Sequence, residues 1–465
     1  MPTQALDRHR PRYHFTAPSN WINDPNGVCF HEGRYHLYYQ YNPDASQWGN
    51  IHWGHASSAD LVHWVDEGIA LAPSNPWDSG GCFSGSFAVV NGQPTLYYTG
   101  YTAGGQVQCV ATSEDLHHWT KHPERTIATP PADVEVHDFR DPYVFQHAGQ
   151  WLMVVGASYR HERGQVLLYQ SADGVDWHYQ GPLFTAPHLN LGVMWECPNL
   201  FPLGRHWVLT VSRWQASGAH AFVGDFDGRQ FVPHWDAPLD VDSGSFAHLT
   251  FTAPDGRALQ WAWINEQREQ ALINADGWAG CMGVPRALGV DPQGRLTLQP
   301  AQEMAQLRSA PVPVHSTGAS TGVLHQFEGT CIDVEVRFRA MDRNKVGVVL
   351  CATPDQTEAT RIVYWSDARR LSIERERSSV NRGVRHQDVH AHFALDAGED
   401  LQLRVLLDAS VLEVYANSRL CLSTRIYPDS AAATQAQVFA EGQAAADIAV
   451  WGMGSIYTGP RRPLA

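Results

Sequence analysis

Short apolar runs separated by turn residues dominate the N-terminal part of the chain. Tyr35–Tyr39, Thr95–Tyr98, Trp151–Val155, Trp207–Val211 and Leu259–Trp263 each follow a turn holding Gly33, Asn91-Gly92, Gly149, Gly204 or Asp255-Gly256. Turn glycine between two apolar runs is the mark of a β-hairpin. The segments before these turns begin at Asp24, Ser84, Asp141, Glu196 and His248, 52 to 60 residues apart. A second element recurs in phase with the first. Ser58-Ala-Asp60 leads to Trp64, Ser113-Glu-Asp115 to Trp119 and Ser171-Ala-Asp173 to Trp177, with a weaker copy from Asp225-Phe-Asp227 to Phe231. Two repeats in phase, each unit rich in short strands, predict a five-bladed β-propeller with roughly four strands per blade.

The pattern changes after Gln299. A short helix is expected over Ala301–Arg308, followed by Ala310-Pro-Val-Pro-Val314. Beyond it apolar and polar residues alternate strictly, as in Val334–Phe338, Leu401–Val405 and Val411–Tyr415. Such alternation marks antiparallel strands with one face buried, and a run of them reads as a β-sandwich. The fold class is therefore all-β, a five-bladed β-propeller followed by a β-sandwich. The boundaries fall at 1–298 for the propeller, 299–318 for a linker and 319–465 for the sandwich, and 465 residues suit two cores better than one.

Composition then removes several classes of function. A formal charge of −15 argues against nucleic acid, which needs clustered Lys and Arg. No apolar run approaches the length of a membrane span, and residues 1–12 lack the apolar stretch of a signal peptide. The eight cysteines are scattered without a CxxC pair, so no zinc site is expected. With no Asn-x-Ser/Thr acceptor, these features point to a reducing cytoplasm and free thiols. No phosphate-cradling glycine loop or cofactor fingerprint stands out, so neither metal nor cofactor is expected. The oligomeric state is left open.

The repeat also organises the acidic residues. Asp24, Asp141 and Glu196 hold the same position in the first, third and fourth units. Equivalent positions of a radial structure face one region, so the three carboxylates are expected to converge near the central channel. Like charges packed together must shift pKa values, which is how catalytic carboxylates are tuned. Pro25, Pro142 and Pro198 beside them fit the start of strands at a rim.

These carboxylates sit in Trp21-Ile-Asn-Asp24-Pro-Asn-Gly27, Phe139-Arg-Asp141-Pro142 and Trp195-Glu196-Cys197-Pro198. Together with Gln40-Tyr-Asn-Pro43, His52-Trp-Gly-His-Ala56, Cys82-Phe-Ser-Gly-Ser86 and Gly277-Trp-Ala-Gly280, the set resembles glycoside hydrolase family 32, the β-fructofuranosidases. The resemblance runs over residues 12 to 290 in the family's order. It implies that Asp24 is the nucleophile, Glu196 the acid/base and Asp141 a transition-state stabiliser, as in retaining glycosidases. It further implies a fructose pocket made by Asn23, Gln40, Trp48, Phe83 and Ser84; Arg140, next to Asp141, is read as holding a carboxylate or sugar oxygen or as a structural ion pair, and Trp278 as lining the pocket or packing in the core. Asn and Gln offer several donors and acceptors to sugar hydroxyls, while Trp and Phe offer apolar walls.

The expected activity is retaining hydrolysis of sucrose or sucrose 6-phosphate. An exo-levanase or inulinase, a fructosyltransferase and the inverting five-bladed arabinan and xylan hydrolases are the enzyme alternatives. A non-catalytic sugar-binding propeller is the alternative of another class, and it would have no reason to keep both Asp24 and Glu196. The fifth unit departs from the family: Asp242-Ser-Gly-Ser-Phe-Ala247 is two residues short, which leaves the role of Asp242 open. Asp408-Ala-Ser410 leading to Glu413 resembles the family's sandwich pattern and receives no chemistry; packing against the propeller is expected ahead of a sugar-binding role.

Overall fold

The computed structural model describes residues 7–127, 136–216, 218–241, 244–339, 345–459, 461 and 464. Five antiparallel sheets follow one another along the first three hundred residues. Sheet one holds β1 (Asn20–His31), β2 (Arg34–Asn42), β3 (His52–Ser58) and β4 (Trp64–Leu71). Sheet two holds β5 (Gly81–Val90), β6 (Gln93–Thr102), β7 (Gly105–Thr112) and β8 (Thr120–Ile127). Sheet three holds β9 (Val136–His147), β10 (Gln150–Tyr159), β11 (Arg163–Ser171) and β12 (His178–Thr185). Sheet four holds β13 (Met194–Leu203), β14 (His206–Trp214), β15 (Ala219–Phe226) and β16 (Phe231–Asp240). The fifth begins with β17 (Ser245–Thr252) and β18 (Ala258–Ile264). The chain then leaves it for α1 (Gln270–Asp276), β19 (Trp278–Ala279) and β20 (Cys281–Met282), and returns as β21 (Arg286–Val290) and β22 (Leu296–Pro300).

Both sequence repeats have a structural cause. The five turn glycines join the first and second strands of their sheets, and all have positive φ, from 63° at Gly204 to 86° at Gly256. The Ser-x-Asp repeat builds the bend that leads into each fourth strand. Asp60 Oδ1 accepts N–H bonds from Val62 and His63, Asp115 from His117 and His118, Asp173 from Val175 and Asp176, and Asp227 from Arg229 and Gln230. These are side-chain-closed turns of the Asx type.

First strands pack in a closed cycle: β1 on β5, β5 on β9, β9 on β13, β13 on β17, and β17 back on β1. The detour through β19 reinforces the last join. It pairs parallel with β1 at Asn20–Trp278 and Trp21–Ala279, so the fifth sheet's own chain hydrogen-bonds into the first. Helix α1 was not foreseen. It has seven residues with Ile273 alone buried, too short to print a helical stripe, and ends on Gly277 in the left-handed region.

The segment 299–318, read above as a linker, carries sheet structure. Arg308–Pro311 pairs with Ala445–Met453, and His315–Ser316 pairs with Gly322–Glu328. Each is the outermost strand of its sheet, where proline costs no ladder bond. The helix expected over Ala301–Arg308 is a 3-10 segment, Gln302–Leu307. A six-stranded and a seven-stranded antiparallel sheet then face each other across a core that includes Val334, Leu350, Val405 and Val438. The two halves of the molecule share apolar packing. One buried cluster joins Trp64, Trp261 and Leu298 to Leu406, Tyr415, Cys421 and Met453. All eight cysteines are free thiols. Among the described residues no helix is long and apolar enough to cross a membrane.

Candidate active site

Every first strand breaks register at the repeat position. The ladder shifts between Ile22 and Pro25 in β1, Phe83 and Gly85 in β5, Arg140 and Tyr143 in β9, Glu196 and Asn199 in β13, and Phe246 and Leu249 in β17. A bulge bends a strand and re-aims a side chain. Here the residues at or beside the bulges include Asp24, Ser84, Asp141 and Glu196. Asp141 and Cys197 take φ values of +67° and +47°, costly for non-glycine residues and fixed by the bonds around them.

Asp24 sits inside a ring of neutral donors. Asn23 Nδ2 donates to its Oδ1 at 3.0 Å, and Ser84 Oγ donates to its Oδ2 at 2.5 Å. Gln40 links those two donors, accepting from Asn23 at 2.7 Å and donating to Ser84 Oγ at 2.6 Å. Trp21 Nε1 holds the Asn23 carbonyl at 2.7 Å, which fixes the direction of that amide. Burial pushes the Asp24 carboxyl up, while Ser84 and Asn23 oppose the rise by bonding its charged form.

Asp141 is buried, its backbone N–H given to Thr99 Oγ1 at 2.9 Å. Its Oδ2 accepts the Cys197 backbone N–H at 2.9 Å and faces the Cys197 thiol at 3.5 Å. The same thiol lies 3.8 Å from Asp24 Oδ2, so one sulfur spans the two carboxylates. Burial pushes Asp141 up to about 7; Arg140 opposes the shift, and the charges of Glu196 and Asp24 add to it. Glu196 receives Arg140 Nε at 3.0 Å and Nη2 at 2.8 Å, both on Oε1. Burial raises the Glu196 carboxyl and Arg140 partly restrains it. The structure thus brings Asp24, Asp141, Glu196, Asn23, Gln40, Ser84 and Arg140 into one connected site.

Aromatic rings flank it. The Trp48 ring, 54% exposed, stands edge-on to Phe83 at 5.9 Å, and Phe83 stacks on Tyr101 at 4.5 Å. Trp214 is 47% exposed and ends β14, opposite Met194 and two residues beyond Ser212, which pairs with Glu196. Trp278 is elsewhere, which corrects its placement in the pocket. It is 1% exposed, its nitrogen bonds Asp7, and its ring faces the guanidinium groups of Arg10, Arg268 and Arg425. The β19–β1 pairing draws it into the core. Asp242 lies outside the described residues.

Sequence reasoning missed Thr99, Tyr101, Gln106, Asp138, Cys197 and Trp214 as members or neighbours of the site. Cys197 belongs to the Trp195-Glu196-Cys197-Pro198 motif, and its place directly after Glu196 was the available signal. Asp138 is the charged residue two positions before Arg140, on the same face of an extended strand.

Comparison with known proteins identifies the class. The family models for the glycosyl hydrolases family 32 N-terminal domain and the glycosyl hydrolases family 32 C terminal match residues 14–300 and 303–452. The chain belongs to glycoside hydrolase family 32. Its relatives include sucrose-6-phosphate hydrolase of Escherichia coli, 33% identical with 90% of this chain and 89% of that protein covered. Raffinose invertase of Escherichia coli is 32% identical, with 90% of each covered. Among solved structures, fructan 1-exohydrolase IIa from Cichorium intybus superposes with a TM-score of 0.84 at 27% identity, over 97% of this chain and 98% of that one.

Proposed function

We propose that the chain is a retaining β-fructofuranosidase that hydrolyses sucrose or sucrose 6-phosphate. The closed cycle of first strands supports a five-bladed propeller with Asp24, Asp141 and Glu196 at its central mouth. The observation that carries the reading is how two carboxylates, both raised by burial, are bonded in one site. Asp24 accepts from Asn23 and Ser84, which favours the ionised form a nucleophile needs. Glu196 is pushed up by burial, toward the protonated form an acid needs, and its bonds to Arg140 fall on one oxygen.

In this reading Asp24 attacks the anomeric C2 of the fructosyl unit while Glu196 protonates the departing glycosidic oxygen. Water, deprotonated by Glu196, then cleaves the fructosyl ester, returning Asp24 to its carboxylate and Glu196 to its acid. Asp141 accepts fructose hydroxyls through bonds that strengthen as positive charge develops on the ring. Asn23, Gln40 and Ser84 hold Asp24 and face the same sugar, with Trp48 and Phe83 as its apolar wall. The sucrose-6-phosphate hydrolase and raffinose invertase relatives support a sucrose-type substrate, and the free cysteines accord with a reducing compartment.

The test is release of glucose and fructose from sucrose, with sucrose 6-phosphate and inulin alongside. Equimolar release is expected, lost by about 10⁴-fold or more in Asp24→Asn, since removing an essential nucleophile costs on that order. Glu196→Gln is expected to lose most on sugars and least on aryl fructosides, whose leaving groups need no proton. Glucose without matching fructose identifies transfer instead, and no cleavage of any fructoside overturns the reading.

A further inference from the structure

Arg140 poses a problem for the acid it holds. The residue is 9% exposed, and its guanidinium places Nε and Nη2 on the same Glu196 oxygen, at 3.0 and 2.8 Å. A buried cation bonded twice to a carboxylate favours the ionised form, yet a proton donor must carry its proton in the ground state. The other edge of the same guanidinium answers this. Arg140 Nη1 donates to Asp138 Oδ1 at 2.7 Å and points at Gln106 Oε1 at 3.4 Å.

We propose that Asp138 is a positioning residue for the acid/base: by sharing Arg140 with Glu196 it sets the upper pH limit at which Glu196 remains protonated. The inference rests on Glu196 being the acid/base, as proposed above. Asp138 and Glu196 approach one guanidinium from opposite edges, so the cation's charge is divided between two carboxylates. Among the described residues, the charged groups that face Glu196 are Arg140, Asp138 and Asp141 from β9 and Asp24 from β1, with the Cys197 thiol next on its own strand. One cation thus stands among four carboxylates, and removing the Asp138 charge leaves Arg140 to act on the other three. The fixed bond to Asp138 also holds the guanidinium plane, so that its remaining edge meets Glu196 Oε1.

A substitution that keeps shape and removes charge separates this from plain support. In Asp138→Asn the amide oxygen still accepts Arg140 Nη1, so the geometry survives while the negative charge is gone. The measurement is kcat/KM against pH on sucrose and on an aryl β-fructofuranoside. The alkaline limb on sucrose is expected to move down by about one pH unit, which makes the variant about tenfold slower on the alkaline side, one unit being tenfold in the protonated fraction. The aryl substrate, whose leaving group needs little protonation, is expected to show a smaller change, and Asp138→Glu to restore the limb. Asp138→Ser, which removes the charge in a smaller side chain, reads the same shift should the Asn variant fail to fold. An unmoved alkaline limb overturns the proposal. So does an equal loss at every pH on both substrates, the mark of a merely structural role. If the unaltered enzyme cleaves neither fructoside, the functional reading itself fails and takes this inference with it.

Discussion

Asp141 bears the cost of its position more plainly than any other residue. It has a positive φ, and burial, with the charges of Glu196 and Asp24, pushes its carboxyl up to about 7 from the ordinary 3.8. Between those two pH values the folded protein holds a proton that the unfolded chain has released. Stability therefore falls as pH rises through that window. Asp141→Asn removes the burden and keeps an oxygen for the Cys197 N–H. Its melting temperature is expected to exceed the parent's at pH 8, with the gap closing as pH falls toward 4, while sucrose cleavage collapses. Thermal melts across pH check this; an Asn variant less stable at pH 8 refutes it. At this scale the sequence showed the acidic trio and the donors around Asp24, because each sits at a repeat position or in a motif. It did not show Asp138, whose role runs through Arg140 on its own strand, or Cys197, whose role comes from a bond to another sheet. Trp278 was left between pocket and core, since a glycine-flanked Trp gives no sign that its strand will pair into the core against three arginines.

The strands carry function through their irregularities. A bulge at the same position in each of the five first strands turns side chains that would line a sheet face toward one another. Phase in the sequence revealed those positions, whereas the bulges did not print, because an extra unpaired residue leaves no mark in an apolar pattern. The end of β14 has a similar hidden meaning. Trp214 lies diagonally across the ladder from Glu196, a separation of about 7–8 Å that an indole can bridge. In the proposed reaction the leaving sugar lies on the side of Glu196, which protonates its oxygen. Trp214→Ala is therefore expected to lower kcat/KM for sucrose about fivefold relative to methyl β-fructofuranoside, the scale of an aromatic contact worth ~1 kcal/mol. Equal effects on the two substrates refute a role in binding the leaving sugar; Val232→Ala, another exposed apolar residue, is the control.

At the scale of the molecule, the two halves are held as one body by buried charge as well as by shared apolar packing. Arg286 of β21 donates Nη2 to Asp240 at 3.0 Å and to Ser423 Oγ at 2.7 Å, lies 3.5 Å from Glu413, and gives Nε to Tyr415 Oη at 3.1 Å. All five side chains are buried. Asp408 does the same for the N-terminal arm, accepting the backbone N–H groups of Arg12, Tyr13 and His14. The sandwich pattern around Asp408 and Glu413, to which the sequence assigned no chemistry, is thus an anchoring device. Packing against the propeller was the expected role, but the partners could not be named because they lie more than a hundred residues away. Arg286→Met keeps volume but strands Asp240 and Glu413 without their cation, and losing one partner of a buried ion group costs ~3–5 kcal/mol. The melting temperature is expected to fall accordingly, with intrinsic fluorescence and sucrose cleavage lost in a single shared transition. Two separate transitions, one for each half, would mean that the halves fold independently and that the network does not couple them.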